Sequence, residues 1–597
     1  MDEEGRMVRR HDAWLANLLI GCCFWVNPGM ANEAIEAGGM RLLAAPSTSA
    51  HSASDQATSV EQTLSADDHR QRAYQYARDW LESAAPDATV LAYPSALTQD
   101  YLDNGFSLLW TQDAARDELA TQVNVISLAS FSPEFEWRAW QLRQLRQQGS
   151  DTAYDIFATD TAYALMSYLN AVPDKGMRWF FGSLHHSPLP APSVSQRKAV
   201  FKAGLGPSLP AFLRKLRPQH PQYTALIKQI VRLQRQARSM WPSVNSDGLI
   251  YPDQAVTISL ALNLVDNLSM QGYWGDSQRL EALDGKTVRY GGDLLDAVKR
   301  FQSQHGLSVD GIIGPSTLKW LNLDASARIR LLALNAERLR LWSAQQPDRI
   351  VVNIPDYRMR LWANDQNVFE SKVVVGRQSR RTPLFSSRLD SVVLNPSWNV
   401  PRSIVQKDIL PKLVDGHDYL SQHQYRILPN WQSDTQIDPS SIDWQKVSVD
   451  GFPYRLQQAP GRGNALGKYK FNTPNRNAIY LHDTPAQSLF SRSRRAFSSG
   501  CIRVEQAEQL ADLLLDLSGK QLTDYQHYID KTQTKWVPLK RRLAVQTIYQ
   551  TAWVTDDGEV TFRDDVYAYD VPAKRTITTQ KPSYLTQQRH SVEMQAQ

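Results

Sequence analysis

The sequence predicts a multidomain α+β protein, helical through its first half and strand-rich in its second. Three observations predict it. At 597 residues the chain is too long for one ordinary core, and length alone points to about three or four domains. Residues 69–276 repeat apolar positions at helical spacing: Tyr74, Ala77, Trp80 and Leu81 share one face, as do Leu226, Ile230 and Leu233. From Arg349 the period changes to two, with Ile350, Val352 and Ile354 alternating, Val373 and Val375 repeating the pattern, and Val392-Val393-Leu394 forming a short apolar run.

The N-terminal end precedes any of these domains. Arg6, Arg9 and Arg10 stand before an apolar stretch over residues 13–26, followed by Gly29-Met30-Ala31. That is the pattern of a secretory signal cleaved after Ala31, so residues 1–31 are expected to export the chain to the periplasm. The acidic start, Asp2-Glu3-Glu4, is unusual for such a signal and makes Met7 an alternative translation start. Leu19-Ile20-Gly21-Cys22 also fits a lipoprotein cleavage box, but apolar residues continue past it, so lipidation at Cys22 ranks second. An uncleaved anchor ranks third, because a span needs ~20 apolar residues. The hydrophobic content of 42% and charged content of 21% fit a folded soluble protein rather than a fibre or a disordered chain. A formal charge of +5 is too small for this length to suggest nucleic acid, and membrane contact is expected only through a retained signal or lipid.

Residues 32–68, rich in Ala, Ser and Thr, read as a flexible linker, and 69–276 as a helical scaffold punctuated by prolines between 188 and 221. Within 277–324, Leu294, Val298 and Phe301 recur at helical spacing. The sequence Gly306-Leu307-Ser308-Val309-Asp310-Gly311-Ile312-Ile313-Gly314-Pro315 then turns into a helix bearing Thr317, Leu318 and Leu321. This unit resembles the small three-helix peptidoglycan-binding domain found on many wall enzymes, through its Asp-Gly-x-x-Gly-x-x-Thr core. The same residues also build structure, Asp310-Gly311 a turn and Pro315 a helix start. A helix in 325–348 is expected to return the chain to the scaffold. Residues 349–528 form the mostly β domain, interrupted at 403–460 by a polar, tryptophan-bearing insertion of the length that active-site lids have. Residues 529–597 read as a C-terminal extension, with strands such as 545–553 and a disordered tail from about 573.

The chemistry concentrates in Tyr480-Leu481-His482-Asp483-Thr484-Pro485, a loop, and Ser498-Ser499-Gly500-Cys501-Ile502-Arg503-Val504. Of the three cysteines, Cys22, Cys23 and Cys501, signal cleavage leaves one. No intramolecular disulfide then forms, and the lone thiol is either a buried small hydrophobe or a nucleophile. Its neighbours favour the nucleophile. Cys501 follows His482 by 19 residues, a spacing that lets two strand ends joined by a loop bring imidazole and thiol together. An imidazole beside a thiol can take its proton and stabilise the thiolate. Gly500 permits close backbone approach, N–H groups near Cys501 offer an oxyanion hole, and Arg503 can fix a carboxylate. Arg492, Arg494 and Arg495 on the loop are expected to be a solvated face, with acidic-peptide binding the lesser reading. His417, His423 and His527 have no neighbours that suggest a metal triad.

These residues resemble the catalytic motif of the L,D-transpeptidase (YkuD-like) family, a histidine followed one loop later by Ser-His-Gly-Cys-x-Arg. The resemblance covers 349–528. Pro383, the run Asn395-Pro396-Ser397-Trp398-Asn399-Val400-Pro401 and residues 461–474 are similar to the large Gram-negative members, which share the order helical scaffold, inserted peptidoglycan-binding module, and catalytic domain with a capping insertion. Ser499 stands where the motif has its second histidine, so any assistance from that ring is lost, while the earlier histidine is matched by His482.

The resemblance implies acyl transfer without ATP, cofactor or metal. Cys501 attacks the third residue of a peptidoglycan tetrapeptide donor, D-alanine leaves, and a stem-peptide acceptor resolves the thioester into a 3→3 cross-link. His482 serves as base and then acid, and Tyr480 or Ser498 orients it or the substrate. Other wall-synthesis proteins are further candidate partners. The rivals are a sortase-like or protein-tethering transpeptidase, whose histidine lies much farther upstream, and a non-catalytic wall-binding scaffold built around 283–322.

Overall fold

The computed structural model describes residues 65–85, 91–185, 189–236, 241–342, 346–413, 418–444, 446–447 and 451–571. The expected signal, the alternative lipidation site at Cys22, residues 32–64 of the linker and the tail from 573 lie outside the described residues. Among the described residues no helix is long and apolar enough to cross a membrane.

Ordered helix starts earlier than the expected linker boundary at 68. Ser65 Oγ accepts from Asp68 N–H at 3.1 Å while the Asp68 carboxylate accepts from Ser65 N–H at 2.9 Å, a reciprocal cap that starts the helix Ala66–Ala84. The helical region is organised around Asp151–Trp179, buried along nearly all of 153–168. Its charged side chains anchor the surrounding elements. Asp155 accepts from Leu109 and Trp110 N–H, both at 2.7 Å, and from the Tyr101 hydroxyl. Asp160 accepts from Ala92 and Tyr93 N–H and pairs with the buried Arg138 at 2.9 Å. Such charges persist in a core only when their lone pairs and protons are met. The helix Ala325–Arg338 packs against Pro221–Gln236 and Asp113–Leu128.

The next module holds three helices, Ile258–Met270, Gly292–Gln304 and Pro315–Leu321, with a small antiparallel sheet in which Ala255–Thr257 and Glu281–Ala282 flank Thr287–Arg289. It therefore begins near 255 rather than at 277. The first helix packs on the second, and the strand ahead of it pairs in register with Thr287–Arg289, a long-range pairing with no local signal. The Asp-Gly motif builds this module. Gly311 N–H donates to Gln302 Oε1 at 2.8 Å, Ile312 N–H donates to Asp310 Oδ1 at 2.9 Å, and Gly311 has φ +74° with the space for a Cβ already filled by Leu295.

An eleven-stranded curled sheet follows. Its order is Lys535–Pro538, Ser391–Leu394, Tyr469–Asn472, Leu481–His482, Ile502–Val504, Gln366–Gly376, Arg358–Ala363, Arg349–Asn353, Ala544–Ile548 and Ser386–Arg388, with Ala496–Ser498 also pairing Gln366–Gly376. The helix Ala507–Asp516 presents Leu510, Ala511, Leu514 and Leu515 to the apolar core beneath the strands. The sheet thus runs past 528: Lys535–Pro538 pairs with Ser391–Leu394, and Ala544–Ile548 lies parallel to Arg349–Asn353. What the sequence suggested as an extension supplies two of the strands. The hairpin Ala552–Val554/Val560–Phe562 packs instead on the helices Pro221–Gln236, Ala325–Arg338 and Gly292–Gln304. Just beyond it Arg563 donates to Asp356 Oδ1 and Gln304 O, both at 2.9 Å, tying sheet domain to three-helix module.

Between Trp398 and Gln458 the insertion forms a small body with its own core. Val405, Ile409, Leu410, Leu413, Leu420, Ile427, Phe452 and Leu456 are buried together, and Arg455–Gln458 pairs with Tyr425–Leu428 and Trp398–Asn399. His417, one of the histidines considered above, lies outside the described residues.

Candidate active site

Parallel pairing of Leu481–His482 with Ile502–Val504 creates the site, because it sets Leu481 opposite Ile502 and His482 opposite Arg503. Leu481, Ile502 and Val504 are fully buried in the core beneath the sheet. Alternation sends their neighbours, Tyr480, His482, Cys501 and Arg503, to the other face. The order of the ladder also places Lys470 opposite His482 on the far side, so Lys470, His482 and Arg503 form one row across three strands.

His482 is 5% exposed, and its Nδ1 lies 2.5 Å from Asp483 O. A carbonyl only accepts, so Nδ1 carries the proton and Nε2 keeps its lone pair. Burial, then Arg503, then Lys470 press the imidazole pKa down to about 3, against the opposing pull of the Asp483 carbonyl. The ring is a neutral acceptor throughout the physiological range. Tyr480 stands edge-on to it at 5.7 Å.

Cys501 is half-buried, and its Sγ faces Ala478 O at 3.9 Å with no hydrogen bond to His482. Burial pushes the thiol pKa up; the Tyr480 backbone and hydroxyl, Lys470 and Arg503 pull the other way. The Arg503 side chain makes no hydrogen bond or ion pair among the described residues, and its Nε is a buried donor without an acceptor. The row contains two cations and no carboxylate.

The turn before the thiol is held from inside. Ser498 Oγ donates to Cys501 O at 2.6 Å and accepts from Gly500 N–H at 3.2 Å. The expected Gly500 contribution to an oxyanion hole is thereby taken up by Ser498, whereas Cys501 N–H has no partner among the described residues. Gly500 has φ +124°, which favours glycine, and its carbonyl accepts from Thr382 Oγ1 at 2.8 Å. Thr382 N–H donates to Tyr567 Oη at 3.0 Å. A tyrosine sixty-odd residues beyond the motif therefore braces the turn.

Ser499 faces outward, where its hydroxyl accepts from Arg377 Nη2 at 3.1 Å and Arg380 Nη1 at 3.0 Å. Arg380 also forms an ion pair with Asp408 of the insertion. Sequence reasoning missed Lys470, Arg377, Arg380 and Thr382. The Lys between Tyr469 and Phe471 was the available signal, a charge alternating with two buried aromatics in a strand. Arg495 departs from the expected solvated face: it is buried, with Nη2 donating to Tyr357 O at 3.0 Å and Nε to Val373 O at 3.3 Å. Arg492 and Arg494 are exposed. Among the described residues no group of three or more His, Cys, Asp or Glu side chains could hold a metal.

The arrangement offers a neutral nitrogen base, a thiol one step along the neighbouring strand, a free backbone N–H at the thiol and unpaired cations. That is equipment for acyl transfer to and from sulfur on a substrate that carries negative charge.

Residues 347–535 match the model of the L,D-transpeptidase catalytic domain (YkuD), residues 95–230 that of a scaffold domain, and residues 266–321 that described as "Putative peptidoglycan binding domain". A Haemophilus influenzae protein named "Putative L,D-transpeptidase" is 43% identical over 242 residues, which are 40% of this chain and 48% of that protein. The match thus spans about half the length of that curated relative. A solved structure titled as the carbamoyl enzyme of Ldtfm with avibactam is 10% identical, covering 54% of this chain and 98% of that one, with a TM-score of 0.17. The sheet that bears His482 and Cys501 thus matches an L,D-transpeptidase catalytic domain, with a match to a peptidoglycan-binding domain ahead of it.

Proposed function

We propose that this protein is a cysteine L,D-transpeptidase that forms 3→3 cross-links between peptidoglycan stem peptides. The observation that carries the reading is the register of the two short strands, which sets His482, with a bare Nε2, beside the strand Ile502–Val504 that directly follows Cys501. His482 accepts the thiol proton, and the sulfur attacks the carbonyl of the third stem residue, meso-diaminopimelate in the resembling family. Reaching Nε2 takes the sulfur away from Ala478, a tightening of the kind that substrate binding brings to resting sites. The tetrahedral oxyanion forms beside Cys501 N–H, the imidazolium protonates the departing D-alanine amine, and a thioester remains. The amine of a second stem then attacks that carbonyl, His482 takes its proton, and the thiolate leaves.

Arg503 is the carboxylate-binding group in this reading, while Ser498 and Gly500 shape the turn and Tyr480 flanks the thiol. The three-helix module recruits the enzyme to its polymer, and the Arg-led apolar start supports a periplasmic location. Mass analysis of muropeptides after adding purified protein to tetrapeptide-rich sacculi tests the reaction: new 3→3 dimers and released D-alanine are expected, and their absence with folded protein overturns it. A carbapenem, whose strained carbonyl is an acyl donor, should add one drug mass to the peptide containing Cys501 and none to Cys501→Ala. An adduct persisting in that variant would move the nucleophile elsewhere.

A further inference from the structure

Lys470 is the least explained charge near the thiol. It sits in Tyr469–Asn472, where Tyr469 and Phe471 point into the core and Lys470 alternates to the face that holds His482 and Cys501. It is half-buried, and among the described residues its ammonium has neither a hydrogen bond nor an ion pair. Its nearest companions are rings: Nζ lies 4.3 Å from the centroid of Tyr480 and 5.6 Å from that of Trp536. Aromatic faces attract a cation but do not neutralise it. On the next strand the directly opposite residue is His482, and beyond it Arg503.

We propose that Lys470 is a positioning residue of this site, supplying with Arg503 the positive field in which the Cys501 thiolate forms. The proposal rests on the cysteine-thioester reading above. The groups acting on the thiol are the Tyr480 backbone and hydroxyl, Lys470 and Arg503, while His482 on the adjoining strand is neutral; Arg377 adds charge near Arg503. Asp390 attracts Lys470 without forming an ion pair, and Asp408 is engaged by Arg380. The balance at sulfur is positive. A cation there favours thiolate over thiol and imidazole over imidazolium, so it moves both titrations of the Cys–His pair toward lower pH. Burial alone opposes the first shift and reinforces the second. A fixed ammonium is therefore what a desolvated thiol needs to react near neutrality, in a sequence whose second motif histidine is Ser499.

The test uses the full-length protein and its Lys470→Met, Lys470→Gln and Lys470→Arg variants. The rate of carbamidomethylation at Cys501 by neutral iodoacetamide is followed by mass spectrometry of its peptide across pH 5–10. Both neutral variants should raise the alkylation midpoint by about one pH unit, which is about tenfold less thiolate at pH 7. Lys470→Arg should restore most of the shift. Using two neutral variants keeps the comparison if one fails to fold. An unmoved midpoint in a folded neutral variant, or an arginine variant as displaced as the neutral ones, overturns the proposal. Failure of the wild-type protein to form a carbapenem adduct on Cys501 would instead strike the parent reading, since alkylation needs no acyl donor.

Discussion

Arg380 and Asp408 form an ion pair that joins the insertion to the loop beside the thiol: Arg380 Nη2 donates to Asp408 Oδ1 at 2.9 Å, and Nη1 reaches Ser499 Oγ at 3.0 Å. Both partners are partly exposed, so the pair contributes about 0.5–1 kcal/mol and salt screens it. It acts as a latch. Asp408→Ala should reduce kcat/KM with a tetrapeptide donor two- to five-fold while leaving iodoacetamide alkylation of Cys501 within about twofold. Equal loss in both assays would show that the insertion maintains the sheet instead of closing over substrate.

His482→Ala should fold normally and lose ~10²–10⁴ of its acylation rate, the usual cost of removing a general base. The pH profile adds a sharper mark. Because His482 titrates near 3, the base is already neutral above that value, and the acid limb of kcat/KM in the wild-type protein should lie well below the ordinary histidine value of 6.5. A limb centred at 6.5 would mean that another group, or a differently solvated His482, controls the reaction.

Ser498→Ala removes the acceptor for Gly500 N–H and the donor to Cys501 O at once. Leaving such buried groups unmet costs about 1–3 kcal/mol. A lower urea midpoint and a fall in turnover at unchanged KM are expected, since the turn places the sulfur rather than the substrate. Unaltered turnover would show that Gly500 and Thr382 suffice to hold the turn.

Acid should weaken the protein through a residue far from the site. His305 is buried in the three-helix module against Phe301, Trp320 and Phe562, with Nδ1 donating to Phe301 O at 2.8 Å and Nε2 accepting from Arg328 at 3.2 Å. Burial, then Arg328, hold its pKa well below 6.5. The unfolded chain therefore takes up this proton first, and stability falls as pH drops through 6.5. Equilibrium unfolding between pH 7 and 4.5 should show this, and His305→Gln should flatten the acid slope by up to about 1.4 kcal/mol per pH unit. An identical slope in the variant would assign the loss to other groups.

Much of the molecule could be read in one dimension because its signals are local. A helical period reports one buried face, a period of two reports a half-buried strand, and His482, Ser498, Gly500, Cys501 and Arg503 lie within 22 residues of chain. The helix at Ser65 and the module boundary near 255 were misjudged where a cap or a short long-range strand pair outweighed composition. Arg495 looked solvated because Arg492 and Arg494 of the same basic run are, yet the carbonyls that hold it in place belong to residues 357 and 373.

By itself the sequence determined the helical and strand-rich halves, the thiol and imidazole, and the glycine turn that joins them to the next strand. Only the tertiary structure decided that Lys470 stands opposite His482, that Arg380 and Asp408 link the insertion to Ser499, that Tyr567 braces the loop through Thr382, and that 535–548 completes the sheet. The physical reason is that a side chain's period along its own strand is set by neighbours one and two residues away, whereas its partners across the sheet depend on ladder order and register, which the packing of the whole core selects.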